Sequence, residues 1–276
     1  MASSNIYKAN ALVSASYRLS VQEQRILLSC IAQIDVEGGE VITDEKLYSV
    51  RVFDIENMSD HSSKNLYLEI KNAAASLFER QVTLNCLPNG NGKRKTLVTR
   101  WVQSIEYDEK ESSVNLRFSR DIAPYLTNLS SHYTKYHLKD VAKLSSAHAV
   151  RIFELMMQWK SVGKATYAIE ELREILLLKD EYPKLSDFKK RVLSVAQQQI
   201  NLHTPYLLSI DQQKYGKKVT HIVFNFSLKD SPKKKKLVSK KPTKKDLQDP
   251  KFLSKHGRPG EDTNQVIRRL KEQFDI

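Results

Sequence analysis

"YAIEELREILLLKDEYPKLSDFKKRVLSVAQQQINLHTPYLLSI", residues 167–210, reads as an extended start, a short helix, a turn, a long helix and an extended exit. Along the long helix, residues 184–201, Phe188, Val192, Val195, Ala196, Gln199 and Ile200 recur at helical spacing. That side is held against a core, which leaves Lys189, Lys190 and Gln197 facing outward and Arg191 near the boundary between the faces. Pro183 disfavours helix just before this stretch, and Ser186 or Asp187 is placed to cap it. The cations Lys189, Lys190 and Arg191 then fall in the first turn, where the helix dipole disfavours positive charge by roughly 0.3–1 kcal/mol per residue. A solvated face is the bland reading. A phosphate backbone against that end reverses the sign of the penalty and is the reading favoured here.

Working outward, the same order of elements occurs earlier in the chain, at a spacing of roughly 120–125 residues. "LSVQEQRILLSCIAQID" (residues 19–35) matches "LSSAHAVRIFELMMQWK" (residues 144–160). Each opens with Leu-Ser, the Ser a good N-cap, and continues as an apolar-striped helix. The stripes are Ile26, Leu27, Cys30, Ile31 and Ile34, then Val150, Phe153, Leu155, Met156 and Trp159. An extended piece follows in each half ("VRVFDI", "ATYAI"), then helical segments, the longest near residues 62–81 in the first copy. Alternating β segments close each half: "VTLNCL", "TLVTRWVQSIEY" and "SVNLRFS", then "PYLLSIDQ" and "VTHIVFNF". The turns "PNGNGK", "DEKESS" and "QKYGK" have hairpin chemistry.

Helix, strand, helix, longer helix and β-hairpin is the order of a winged helix, a helix-turn-helix with a β wing. The fold class read from the sequence is therefore α+β, two tandem winged-helix domains followed by a basic C-terminal tail that is expected to be disordered. The boundaries are an N-terminal arm at 1–10, a first domain at 11–128, a second at 129–229 and the tail at 230–276. In a helix-turn-helix the third helix enters the major groove and its N-terminal end reaches base edges.

The chain has 276 residues, a length comfortable for two cores, with 40% apolar residues to build them. A mean hydropathy of -0.49 and the lack of any long apolar run argue against a membrane. The N-terminal stretch carries no secretory pattern, so the expected location is cytoplasmic. Cys30 and Cys86 stand alone in apolar settings, which suits reduced thiols and neither a disulfide framework nor a Cys-rich zinc site. The net charge of +13 points to a polyanionic partner. Residues 229–276 hold 12 Lys and 3 Arg against 7 acids, so +8 of the +13 lies there. Residues 231–262 have too few apolar groups to order, whereas Val266, Ile267, Leu270 and Phe274 have helical spacing.

Three stretches together resemble the iteron-binding initiator proteins of theta-replicating bacterial plasmids. "NALVSASYRLSVQEQRILLSCIAQI" (residues 10–34) is similar to that family's opening signature, "VNLRFSRDIAPYLTNL" (residues 114–129) to its interdomain junction, and residues 167–210 with "VTHIVFNF" to its second winged helix. The resemblance implies a monomer that clamps one repeat of double-stranded DNA with both winged helices in successive major grooves. It places base reading at the start of the last long helix, on Lys184, Lys189, Lys190 and Arg191, with Ser186 beside them as a further DNA contact. Ser63, Lys64, Tyr67 and Lys71 on the matching helix of the first domain form a more polar surface suited to phosphates. It also implies direct repeats for initiation, an inverted repeat bound by a homodimer that represses its own promoter, and recruitment of the host initiator ATPase and replicative helicase. Leu12, Leu19 and Ile26 fall at sevenfold spacing but read as ordinary core, and the dimer edge is sought in residues 82–87 and 95–107. A dedicated transcriptional repressor with the same fold is the rival reading.

Enzymatic readings fare worse. "GNGKRKT" (residues 90–96) resembles a phosphate loop, but Leu87 stands where its first Gly belongs and Arg94 where Ser or Thr holds magnesium. His132 and His137 fit no metal spacing of a DNA-nicking enzyme, and His148 and His221 sit in apolar stretches as structural residues. No cofactor, metal or catalytic residue is therefore expected. Trp101 and Trp159 both read as core.

Overall fold

A computed structural model describes residues 5–59, 65–90, 92–229, 246–249, 252 and 262–274. Residues up to Lys229 form one compact unit and those beyond it a second. The first unit opens with β1 (Asn5–Ala9), α1 (Asn10–Val13) and α2 (Val21–Ile31), then β2 (Tyr48–Arg51), α3 (Val52–Ser59) and α4 (Leu66–Glu79). Strands β3 (Gln81–Cys86), β4 (Lys93–Arg100), β5 (Val102–Asp108) and β6 (Ser113–Phe118) complete the first winged helix, and β7 (Tyr133–His137) returns to pair with β1. The second consists of α5 (Ala147–Met157), β8 (Lys164–Ala168), α6 (Ile169–Ile175), a long helical run and the hairpin β9 (Tyr206–Tyr215) and β10 (Lys218–Leu228). That run comprises α7 (Leu185–Phe188), a π turn (Lys189–Leu193) and α8 (Ser194–His203).

The first leading helix starts at the serine its sequence marks, and the second starts one residue later. The Ser20 hydroxyl accepts the Glu23 N–H while the Glu23 carboxylate accepts the Ser20 N–H at 2.6 Å, a complete capping box. In the second copy the cap is Ser146, one residue after the Ser of the Leu-Ser pair. The stripes Ile26, Leu27, Cys30, Ile31 and Ile34, and Val150, Phe153, Leu155 and Met156, are buried as expected. Trp159 is not: α5 ends at Met157, the chain turns, and the indole stays 45% exposed while donating to Tyr167 Oη. Trp101 is fully buried, edge-on to Tyr17 at 4.8 Å.

The two halves carry matching antiparallel sheets in the orders β2-β6-β5 and β8-β10-β9, each placing the strand that follows the first helix beside the hairpin. β3 and β4 form an extra two-stranded ribbon in the first half. In place of two cores, one continuous buried cluster runs from Ile6 to Phe226. It is continuous because β1, β7 and α5 lie between the halves and bury Ile6, Tyr136 and Phe153 in common. Leu12, Leu19 and Ile26 lie on α1, the following link and α2, all buried in this core, so they form no zipper seam.

In the second unit α9 (Thr263–Phe274) packs Val266 with Leu247, Phe252 and Ile267. Most of residues 231–262, the span expected to be unstructured, lies outside the described residues. Among the described residues no helix is long and apolar enough to cross a membrane.

Candidate nucleic-acid interface

The long helical run of the second half is anchored along one side by Phe188, Val192, Ala196 and Ile200, spaced four apart and fully buried, with Leu193 beside them. The opposite side exposes Lys190, Arg191, Ser194, Gln198 and Leu202. Lys184 and Ser186 are also exposed at its start, and Lys189 is half-buried. Among the described residues Lys184, Lys189, Lys190 and Arg191 form no ion pair, so their charge is free for an outside anion.

Three details differ from the reading of the sequence. The N-cap is Lys184, which places Ser186 and Asp187 inside the first turn, the acid where the dipole favours it, and moves the cations into the π turn that follows. Arg191 lies on the exposed face rather than at its boundary, while Leu193 is buried and Val195 only half-buried. The π turn accounts for both shifts, because its i→i+5 closure inserts a residue and rotates the face relative to a 3.6-residue wheel. Gln197 does not face solvent freely: its amide donates to the Leu208 carbonyl at 3.2 Å.

The helix is aimed by partners the sequence did not reveal. Gln199 Oε1 accepts the backbone N–H groups of Ser145 and Ser146, each at 2.9 Å, tying the helix to the start of α5. Asn201 exchanges two hydrogen bonds with the backbone of Leu208 on β9. On the other side Arg173 of α6 is buried, donates to the carbonyls of Leu178, Glu181 and Tyr182, and lays its guanidinium 4.7 Å from the Phe188 ring. It thereby holds a turn in which Leu177 and Tyr182 both have positive φ. A cation interrupting the apolar series Ile169, Leu172, Ile175 was the available signal. The wing adds a second basic surface: Lys214, Lys217 and Lys218 are exposed around Gly216, which has φ 61°, and Tyr215 is 86% exposed.

The matching helix α4 buries Leu66, Ile70, Ala74 and Leu77 and exposes Asn65, Leu68, Asn72, Ala75 and Glu79. Ser63 and Lys64 lie outside the described residues. Tyr67 is half-buried, and Lys71 is paired with Glu109 at 3.2 Å and sits 5.3 Å over the Tyr107 ring. This wing turn also exposes Lys110 and Glu111, so its tip carries both signs. The structure thus gathers the cations expected in the second half on one face and pairs Lys71 with Glu109.

Among known proteins, the family model described as Initiator Replication protein, WH1, matches residues 5–157, and that described as Initiator Rep protein, WH2, matches residues 168–226. A replication initiation protein of Escherichia coli is 24% identical over 229 residues, covering 81% of this chain and 69% of that protein. The PI protein of Escherichia coli is 21% identical over 247 residues, covering 79% and 80%. The crystal structure of the Pi initiator protein in complex with iteron DNA superposes with a TM-score of 0.68 at 20% identity, over 83% of this chain and 98% of that one. That likeness fixes the fold. With both halves matched in order by the family models, and both halves winged helices in the structure, the chain belongs to the initiator replication protein family, WH1 followed by WH2.

Proposed function

We propose that this chain is a plasmid replication initiator that binds repeated duplex DNA sites, the iterons, at its origin, in the bacterial cytoplasm. The observation that carries the reading is the cationic face Lys184, Lys189, Lys190 and Arg191, which forms no ion pair among the described residues, on a helix hydrogen-bonded to α5 and the wing and packed against Arg173 of α6. Lys190 and Arg191 reach base edges, Arg191 having the planar fork that matches guanine O6 and N7. Lys184, Ser186 and Lys189, with the wing lysines, hold the phosphates, and Tyr67 and Lys71, with Ser63 and Lys64, give the first half weaker backbone contacts. Bending across both contacts favours opening of a neighbouring A·T-rich segment, where host initiator ATPase and replicative helicase assemble. Repression by a homodimer on an inverted repeat uses the first half, whose strand β4 is hydrogen-bonded on one side only among the described residues. The basic tail adds sequence-independent affinity.

The test is a titration of direct-repeat duplex from the flanks of the coding region against scrambled duplex at fixed salt. A preference of at least about 1,000-fold supports the reading. Equal affinity for both contradicts it.

A further inference from the structure

Between the two winged helices lies a cluster of charges with no access to water. Lys8 on β1 and Glu154 on α5 meet at 2.6 Å, both buried. Glu154 Oε1 also accepts the Tyr136 hydroxyl at 2.6 Å, and Oε2 accepts Tyr17 at 3.2 Å and Arg151 at 3.1 Å. Arg151 further donates to the Ala15 carbonyl at 2.9 Å, hydrogen-bonds the Tyr17 hydroxyl and covers that ring at 3.6 Å. Around the cluster, Gln158 donates to the Asn10 carbonyl and Gln24 to the Ala147 carbonyl, again from one half to the other. Burial alone raises the Glu154 carboxyl, but Lys8 and Arg151, with the hydrogen bonds, bring it down to about 2, so the anion persists.

Two buried cations around one buried anion contribute little to stability compared with apolar side chains of the same volume. What they impose is direction. Apolar contacts tolerate sliding, whereas these ion pairs and hydrogen bonds keep their lengths in one relative position, only Arg151 Nε of the cluster lacking a partner among the described residues. The element that carries Arg151 and Glu154 is α5, and the start of that same helix is bonded to Gln199 of the DNA-facing run. A shift at the seam therefore moves the second reading helix relative to the first.

We propose that Lys8, Arg151 and Glu154 act as positioning residues that set the distance and helical phase between the two DNA segments one chain can hold. This rests on the proposed two-handed grip on DNA and adds to it a determinant of site spacing far from any DNA-facing residue.

Two measurements test it on the full chain, one of them without DNA. The variant Lys8→Met, Arg151→Met, Glu154→Leu keeps the volume and removes the charges, and Glu154→Gln is the milder companion. Spin labels at Asn72→Cys and Gln198→Cys, both exposed, in a Cys86→Ser background report the distance between the reading helices, since Cys30 is buried. A single narrow distribution is expected for the parent and a broadened or shifted one for the variants. On DNA, inserting two base pairs between the two contact segments should cost the parent roughly 100-fold in affinity, by loss of simultaneous engagement. For the apolar-seam variant the same insertion should cost no more than about fivefold. Parental distances and parental spacing dependence in both variants overturn the proposal. A parent that binds no DNA specifically overturns the proposed function instead, and the spin-label distances still decide the seam.

Discussion

The two winged helices share one plan and present opposite surfaces. α2 and α5 both start from serine caps, and each half has a three-stranded sheet in the same order. On the second half the long helical run exposes Lys190 and Arg191, which form no ion pair among the described residues, and the wing tip is lysine-rich. On the first, α4 exposes Asn, Leu, Ala and Glu, and its Lys71 is quenched by Glu109 from its own wing. A duplicated scaffold therefore does not duplicate a site. The core positions fix where a helix points, and the outward positions, which the core does not constrain, decide what it can hold.

The comparison assumes one scaffold carries both surfaces, and the largest effect tests that assumption. Glu154→Ala should lower the free energy of unfolding by about 3–5 kcal/mol, because it leaves Lys8 and Arg151 buried without their anion. Buried Trp101 and half-exposed Trp159, one in each half, should still report a single transition; two separate transitions would show independent halves. The pH dependence follows the same group. The Glu154 pKa lies below its ordinary 4.5, at about 2, so its contribution is complete above pH 4.5 and is lost as pH falls toward 2. Urea midpoints at pH 6, 4 and 2.5 should fall steeply for the parent and much less for Glu154→Gln.

Next in size is the contrast between reading faces. Lys190→Ala and Arg191→Ala should each weaken binding to the specific repeat by ~1–3 kcal/mol and relax preference at one base position, measured by competition with single-substituted duplexes. Lys71→Ala should cost less than about 0.5 kcal/mol on any sequence, since Glu109 already holds that charge. Equal losses for Lys71 and Lys190 would erase the asymmetry. The smallest expected effect sharpens it: Glu109→Gln frees Lys71, and the slope of log affinity against log salt on random duplex should steepen by up to about 0.9.

The fold was legible where burial and local chemistry act together. Ser20 with Glu23, the α2 and α5 stripes and the strand patterns lie within short windows whose periodicity survives folding. The cationic face was legible in composition but not in register, because nothing in "KKRVL" announces a π turn, and one inserted residue left Val195 only half-buried with Leu193 in the core. Arg173, the Lys8–Glu154 pair and the partners of Gln199 were missed for a different reason. The contacts run to backbone groups or to residues up to 146 positions away, and such contacts leave no periodic trace. Trp159 failed as a core residue because its helix ends two residues earlier.

The most direct measurement is photocrosslinking from single benzophenone side chains at Ser194 and Asn72, exposed positions on the two long helices, with repeat duplex at physiological salt. Crosslinks from position 194 to bases of the major groove, at one fixed position of the repeat, with only deoxyribose adducts from position 72, are the predicted result. Base adducts from position 72 with none from position 194 would contradict the assignment of sequence reading to the second winged helix.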